Sequence, residues 1–181
     1  NYMESVWWAF KTLYDKGLIY EGYNVLPYSP KLASPLSNME VNLGGYKDVT
    51  DQAVTVRFKV DGEENSYFLA WTTTPWTLPS NLALAVGPDI DYVKVKDDES
   101  GEYYYLAEKL TKKYYKDNKG MTVVARMKGN DLVGKTYEPL FPYFADLKKL
   151  GAFQVLTADY VTVEDGCGIV HTASGFGVDD Y

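Results

Sequence analysis

The chain has 181 residues, of which 46% are hydrophobic and 24% charged, and this composition is typical of an ordered globular domain rather than a disordered chain. Its 25 acidic and 18 basic residues give a formal charge of −7, so the chain lacks the basic footprint of a stand-alone nucleic-acid binder. The only cysteine is Cys167 and the only histidine is His171, which excludes an internal disulfide and makes a structural metal site unexpected.

No apolar run approaches the roughly 20 residues needed to span a bilayer, and the N-terminus shows neither a signal peptide nor a transit pattern. We therefore expect a soluble, cytoplasmic protein that does not enter a membrane. The chain starts at Asn1 without a methionine and stops at Tyr181 within a motif, which indicates a piece of a larger protein.

The first predicted element is an amphipathic helix over residues 3–16, where apolar side chains recur at three- and four-residue spacings before Gly17. Prolines then predict an extended segment over residues 19–28 and a loop over residues 30–42. From Ala53 onward, alternation of apolar and polar residues predicts a strand, which the turn at residues 61–65 joins to residues 67–71 as a hairpin.

The rest of the chain predicts short strands with a few helices. The strands are expected over residues 81–86, 91–96, 102–106, 122–127, 153–156 and 168–171, and the helices over residues 107–116 and 143–150. This order favours an α+β fold, a β-barrel-like domain that is closed or nearly closed and has peripheral helices. Without repeats or long linkers, residues 1–181 are expected to form one domain.

The densest group of polar residues in an apolar setting follows a predicted strand directly. It is Trp-Thr-Thr-Thr-Pro-Trp-Thr-Leu-Pro-Ser-Asn at residues 71–81, which we call the threonine strip. Pro75 and Pro79 lack a backbone N–H, so the strip is expected to leave the sheet as a fixed turn that presents hydroxyl groups to a small polar ligand. Threonine is also a favourable strand residue, so a purely structural role stays open.

A second group ends the chain, as Gly-Cys-Gly-Ile-Val-His-Thr-Ala-Ser-Gly-Phe-Gly-Val-Asp-Asp-Tyr at residues 166–181. Its glycines allow the backbone to approach a ligand closely. His171, Asp179 and Asp180 are expected to converge on one pocket, where one aspartate is free to bind a cation such as an α-ammonium group. The alternatives are a structural histidine at a strand end and aspartates that cap a helix.

Together, the two segments resemble the signature stretches of the connective-peptide editing domain of isoleucyl-tRNA synthetases, which are class I aminoacyl-tRNA synthetases. The resemblance extends to Glu-Ser-Val-Trp-Trp at residues 4–8, Pro-Tyr-Ser at 27–29 and Pro-Leu-Ser-Asn at 35–38, and so covers nearly the whole chain. Leucyl and valyl enzymes carry Thr-Thr-Arg-Pro where this chain has Thr74 before Pro75, which favours the isoleucine member.

Two positions depart from the family pattern. Cys167 stands where the family commonly has threonine, and Ser174 stands where it usually has proline. We expect the second change to loosen the turn before Asp180 without altering the spacing between His171 and that aspartate.

The resemblance implies a hydrolase that removes valine wrongly attached to isoleucine tRNA. In this interpretation Thr74 and His171 shape the pocket for the valine side chain and ester, and Asp180 binds the α-ammonium group. The implied catalytic residues are Thr73, Thr74, His171 and Asp180. The implied substrate-binding residues are Trp71, Thr72, Thr73, Thr74, Asn81, His171 and Asp180.

The resemblance also implies the partners. They are the acceptor end of misacylated isoleucine tRNA, valyl adenylate or its analogues, and other domains of the same synthetase, to which residues 1–30 would connect. No metal or cofactor is implied for editing, whereas the full-length enzyme would use ATP and magnesium, for which this chain lacks both ATP-binding signatures.

Hydrolysis of an activated ester needs a positioned water and hydrogen-bond donors more than a strong nucleophile. The chain has no Gly-x-Ser-x-Gly nucleophile motif, so we expect direct attack by water, with His171 at most a secondary general base. Two alternatives remain at this stage: the editing domain of a leucyl or valyl synthetase, and a non-catalytic β-barrel binding module.

Overall fold

The computed structural model describes residues 1–44 and 46–181. Helix α1 (Tyr2–Asp15) confirms the predicted amphipathic helix, although none of its residues is buried. A short pairing of β1 (Tyr28–Ser29) with β2 (Ser34–Pro35) follows. Helix α2 (Asn38–Asn42) lies where a loop was predicted, and it begins at a capping box in which Ser37 and Glu40 each accept a hydrogen bond from the other's backbone N–H.

The larger sheet has five strands, and its apolar face forms most of the core. The strands are β3 (Val54–Lys59), β4 (Ser66–Thr72), β6 (Asp91–Asp97), β7 (Tyr103–Ala107) and β8 (Met121–Lys128), in the spatial order β3-β4-β7-β6-β8. Only the β4–β7 pair is parallel. The predicted hairpin is confirmed, with Val54 paired to Thr72 across β3 and β4.

The smaller sheet has three strands. Strand β5 (Ala83–Val86) is fully buried and lies between β10 (Ile169–Thr172), its antiparallel neighbour, and β9 (Gln154–Thr157), its parallel one. Strand β10 also packs against β4 of the larger sheet. The carboxyl end of β4 and the end of β10 therefore lie close together, although they are far apart in sequence.

The α+β fold class is confirmed, and of the two forms expected, closed or nearly closed, the described strands do not form the fully closed barrel. Apart from the β1–β2 pair, these strands form two open sheets. At the side of β3 and β9, the two sheets are connected by the isolated bridges Val60 to Tyr137 and Thr136 to Gln154. A physical reason lies at the threonine strip, because Pro75 and Pro79 lie in a 3-10 helix (Pro75–Ser80) that leaves β4 and separates it from β5.

The helices of the second half are tighter than predicted, and the first of them is divided into short turns. Residues 107–116, expected as one helix, form the 3-10 turn Glu108–Leu110 and helix α3 (Thr111–Tyr114), and a second 3-10 turn, Lys116–Asn118, follows. Two further 3-10 helices are Gly129–Leu132 and Pro142–Leu150, the latter ending at Gly151 with a φ of 96°. No helix in residues 1–44 and 46–181 is long and apolar enough to cross a membrane.

Gly168 shows why the entry to β10 needs glycine. Its φ is +77°, and a Cβ atom at this position would lie 2.4 Å from the Cβ of Ala107. The adjacent Cys167 is fully buried, and the Ala107 N–H donates to its carbonyl oxygen at 2.9 Å. This close contact fixes β10 against the larger sheet and so fixes the position of His171.

Candidate functional site

A cavity of about 260 Å³ opens between the end of β4 and the loop that follows β10. We call it the site cavity. It brings together two segments that the sequence separates widely, the threonine strip and the C-terminal stretch. The cavity is lined by Trp71, Thr72, Thr73, Thr74, Thr77, Val170, His171, Phe176 and Asp180.

The strip side of the cavity is held by hydrogen bonds among its own threonines. The Thr72 hydroxyl accepts from the Thr74 N–H at 3.0 Å and lies 3.2 Å from the Thr74 hydroxyl. Thr77 donates its hydroxyl proton to the Thr74 carbonyl oxygen at 2.8 Å. Thr72 and Thr77 are buried, whereas Thr73 and Thr74 are exposed to the opening, so the buried hydroxyls fix the shape of the strip and the exposed ones face a ligand.

His171 is anchored to the strip through Thr77, a residue 94 positions away in the chain. The single hydroxyl proton of Thr77 goes to a carbonyl oxygen, so its oxygen accepts from the Nε2–H of His171 at 2.9 Å. The hydrogen bonds thereby assign the Nε2–H tautomer. Atom Nδ1 is then a buried acceptor without a hydrogen-bond partner among the described residues.

Burial lowers the pKa of His171, and the nearby Asp180 carboxylate opposes this effect only in part. The side chain is 6% exposed. The imidazole is therefore neutral near pH 7, and a positive charge on it is disfavoured. His171 can accept a hydrogen bond from a ligand or a water at Nδ1, but it is a weaker base than a free imidazole.

Asp180 supplies the negative charge of the cavity. Its Oδ2 accepts from the Ala173 N–H at 2.9 Å, and its Oδ1 accepts a long hydrogen bond of 3.4 Å from the Tyr160 hydroxyl. Gly177 allows the loop to fold back this tightly, because a Cβ there would lie 3.1 Å from the Asp180 Cγ. A carboxylate offers about four lone-pair sites, so Asp180 retains capacity to bind a cation.

Asp179, the other candidate aspartate, is exposed and does not line the site cavity. The predicted convergence therefore holds for His171 and Asp180.

Asn81 does not line the site cavity. It is buried, its amide donates to the Ala83 carbonyl oxygen at 2.8 Å, and its oxygen accepts from the Tyr137 hydroxyl at 2.7 Å. Cys167 is likewise directed into the core, where its thiol donates to the Leu69 carbonyl oxygen and burial raises its pKa to about 11. These contacts give both side chains a structural role in the fold as described.

Three cavity residues were not singled out from the sequence, namely Thr77, Val170 and Phe176. Thr77 was visible as a further threonine of the strip, but nothing local indicates that it faces the histidine. Phe176 is 61% exposed at the rim, and an exposed aromatic side chain between two glycines was the available signal for it.

The cavity contains one carboxylate, one neutral imidazole and several hydroxyl groups. No group of three or more histidine, cysteine, aspartate or glutamate side chains in residues 1–44 and 46–181 is placed to hold a metal ion. The arrangement suits a small ligand that carries an ammonium group, an ester or hydroxyl groups, and a short apolar side chain placed near Trp71 and Val170.

Comparison with known proteins identifies relatives along the whole chain. The family model described as tRNA synthetases class I (I, L, M and V) matches residues 1–165. The isoleucine–tRNA ligase of Tetrahymena thermophila is 52% identical over 182 aligned positions, which cover 100% of this chain and 17% of the relative. The cytoplasmic isoleucine–tRNA ligase of Saccharomyces cerevisiae is also 52% identical. That alignment covers 99% of this chain and 17% of the relative.

A solved structure supports the fold. The editing domain of the cytosolic leucyl-tRNA synthetase of P. knowlesi matches with a TM-score of 0.53 at 15% identity, over 67% of this chain and 56% of that one. At this identity the likeness shows a common fold. The chain spans 17% of the length of the isoleucine–tRNA ligases that it matches.

Proposed function

This chain belongs to the class I tRNA synthetase family and has the fold of a synthetase editing domain, and from that premise we propose that it hydrolyses valine mis-attached to isoleucine tRNA. The substrate is the aminoacyl ester at the acceptor end of the tRNA, or valyl adenylate. The products of the tRNA reaction are free valine and deacylated tRNA.

One observation carries the proposal. The site cavity joins the exposed threonines of the strip, Thr73 and Thr74, to His171 and Asp180 from the C-terminal stretch. An α-amino ester requires an anionic group beside neutral hydrogen-bonding groups. Its ammonium group pairs with a carboxylate, and its ester oxygens accept hydrogen bonds from hydroxyl groups.

Valine and isoleucine differ by one methylene group, for which a binding pocket discriminates by about 1–3 kcal/mol, and isoleucyl-tRNA synthetases are the standard example of that limit. A second site that excludes the larger side chain supplies the missing selectivity. We assign this exclusion to the wall of the site cavity that contains Thr74 and His171, with Trp71 and Val170 as its apolar neighbours.

The proposed chemistry is direct attack by water. Asp180 binds the α-ammonium group and sets the ester in place, and Thr73 and Thr74 hydrogen-bond the ester or the water. Cys167, the one thiol, lies in the core rather than in the cavity and has a raised pKa, so it is not placed to act as a nucleophile. The proposal therefore needs no covalent intermediate.

His171 acts mainly as a fixed hydrogen-bond acceptor in this proposal. Its Nε2–H is held by Thr77, which leaves Nδ1 for a water or a substrate hydroxyl. Because burial lowers its pKa, proton removal by His171 is a secondary contribution, and a hydroxyl of the terminal ribose is a further group that can assist.

The remaining assignments are proposals of the same kind. Residues 1–30 serve as a segment that connects to other domains of the synthetase, which is supported by the absence of any buried residue in helix α1. Editing needs no cofactor, whereas ATP and magnesium belong to aminoacylation. A cytoplasmic location is supported by the name of the yeast relative.

The test is deacylation of isoleucine tRNA charged with either valine or isoleucine, with the chain in excess over tRNA. We expect valine to be released at least about 10-fold faster than isoleucine, because the cavity wall excludes the extra methylene. Equal rates would contradict size exclusion, and a preference for norvaline or threonine esters would indicate a leucyl or valyl editing site.

Absence of release requires a second measurement. A non-hydrolysable valyl-adenosine analogue should bind to the chain, and Asp180→Asn should weaken that binding. If neither release nor analogue binding is observed, the chain is a non-catalytic module and the proposal is wrong.

A further inference from the structure

The surface around helix α3 is basic in a chain that is otherwise acidic. Residues 108–128 contain seven of the 18 basic residues and two of the 25 acidic ones, so this stretch has a formal charge of +5 while the rest of the chain has −12. We call it the basic surface. Its cationic side chains near α3 are Lys109, Lys112, Lys113, Lys116, Lys119 and Arg126.

Most of this charge is available to a partner. Lys109, Lys112, Lys116 and Lys119 are exposed, and none of them forms an ion pair within the parts of the chain that the structure describes. The other three cations of the stretch pair with carboxylates, Lys113 with Asp165 at 2.7 Å, Arg126 with Glu108 at 2.9 Å and Lys128 with Asp91 at 2.7 Å. Unpaired surface lysines at this density repel one another, so an anionic partner would stabilise them.

The basic surface contains a concave site of its own. A cavity of about 440 Å³ lies between the α3 region and β8, and Lys109, Lys112 and Arg126 line it together with the polar side chains of Thr111 and Asn118. One carboxylate, that of Glu108, also lines it and is already paired with Arg126. A concave site lined by three cationic side chains suits an anionic phosphodiester group better than a metal cation or an uncharged ligand.

The basic surface lies next to the wall of the site cavity. The Tyr114 hydroxyl is 3.0 Å from the Thr55 hydroxyl, and Thr55 is paired with Trp71 across β3 and β4. Lys113 reaches Asp165, whose neighbour Gly166 packs so closely on Trp71 that an added Cβ would lie 3.0 Å from its side chain. Two chains of contacts therefore connect the basic surface to Trp71, which lines the site cavity.

We propose that the basic surface binds the phosphate backbone of the tRNA whose aminoacyl end enters the site cavity. This inference rests on the proposed function and adds a binding surface to it. The acidic remainder of the chain repels RNA, so attraction confined to one face also orients the tRNA. The net charge of −7 conceals this local feature, because it averages two regions of opposite sign.

The test compares two triple variants of the chain in tRNA binding. The first changes Lys112, Lys116 and Lys119 to glutamate. The control changes three exposed lysines outside the basic surface, Lys16, Lys31 and Lys149, to glutamate, so both variants lower the formal charge equally. Fluorescence anisotropy of labelled isoleucine tRNA, titrated between 50 and 200 mM salt, gives the affinity and its salt dependence.

We expect the first variant to lose most of the tRNA affinity and to reduce the slope of log K against log salt by roughly 2 to 3, because each phosphate contact contributes about 0.9. The control should keep nearly the full slope. Equal losses in the two variants, or no measurable tRNA binding by the unmodified chain at 50 mM salt, would overturn the inference.

Binding of the valyl-adenosine analogue separates this inference from the proposed function. The analogue carries no tRNA backbone, so all three proteins should bind it equally if the site cavity functions as proposed. Loss of tRNA binding with analogue binding intact supports the basic surface. Absence of analogue binding in all three would instead contradict the proposed function, while the salt slopes would still report on the basic surface.

Discussion

The two sides of the site cavity differ in what their polar groups are bonded to. On the strip side, the Thr72 and Thr77 hydroxyls and the Nε2–H of His171 are buried and bonded to one another or to the backbone. On the loop side, Asp180 is partly exposed and has one short hydrogen bond, from Ala173. A buried hydrogen-bonded network fixes shape, whereas an incompletely bonded carboxylate can bind a charged ligand.

The largest expected effect tests the loop side. Asp180→Asn removes the charge but keeps an oxygen that can accept from the Ala173 N–H, so the loop should hold its conformation. Loss of a charge partner for the α-ammonium group costs about 2–5 kcal/mol, so kcat/KM for valyl-tRNA hydrolysis should fall at least about 30-fold. Single-turnover deacylation measures the loss, and the thermal midpoint should change little.

Asp179→Asn is the matched control for that variant. Asp179 is the exposed neighbour of Asp180 and does not line the site cavity. Its loss should leave kcat/KM within about twofold, since surface substitutions away from a site are usually worth less than 0.5 kcal/mol. Equal effects of the two variants would show that the loop acts through general charge rather than through one carboxylate.

The second effect tests the strip side and should appear in stability. Thr77→Val keeps the side-chain volume but removes the hydroxyl that accepts from His171, which leaves a buried N–H without a partner. The free energy of unfolding should fall by roughly 1–3 kcal/mol. Chemical denaturation of the chain measures this change.

Thr73→Val is the control on the same strip, because Thr73 is exposed. The control should change the free energy of unfolding by less than about 0.5 kcal/mol, although it faces the ligand. If Thr77→Val proves equally harmless, the buried network does not set the shape of the cavity, and the contrast between the two sides is lost.

The same contrast explains what the sequence allowed us to predict. Short apolar runs bounded by turn residues located nearly every strand, because such runs leave a local signal in the chain. Helix α2 was missed although its capping box, Ser37 with Glu40, was also local and readable. Whether the sheets close fully was left open, because closure depends on pairing between strand edges that are distant in sequence and that local patterns do not specify.

In the site, too, local motifs identified residues, whereas contacts between residues distant in sequence were not predicted. The charged group of the loop side, Asp180, was identified from its motif, and the structure places it in the cavity with Thr74 and His171. The bond between Thr77 and His171 spans 94 residues, so no local pattern could indicate it. Asn81 was assigned to the substrate by resemblance, whereas its contacts with Ala83 and Tyr137 lie in the core.

The smallest expected effect concerns the pH dependence of the strip side. The pKa of His171 is lowered from the ordinary 6.5 by burial. As the pH falls below about 6.5, the unfolded chain takes up a proton that the folded chain disfavours, so the free energy of unfolding should decline between pH 7 and pH 5. Denaturant unfolding at a series of pH values measures this decline.

His171→Gln isolates the contribution, because glutamine can still donate to Thr77 and does not titrate. The decline between pH 7 and pH 5 should be smaller in this variant than in the unmodified chain. Glu63 contributes little in this range: although burial opposes the shift, hydrogen bonds from Lys135, Lys94 and Tyr105 lower its pKa to about 2, so most of its contribution is lost as the pH falls below about 4.5. An identical decline in both proteins would mean that His171 is as readily protonated in the folded state as in the unfolded one. The strip side would then tolerate a charge as the loop side does, and the contrast between the two sides would be lost.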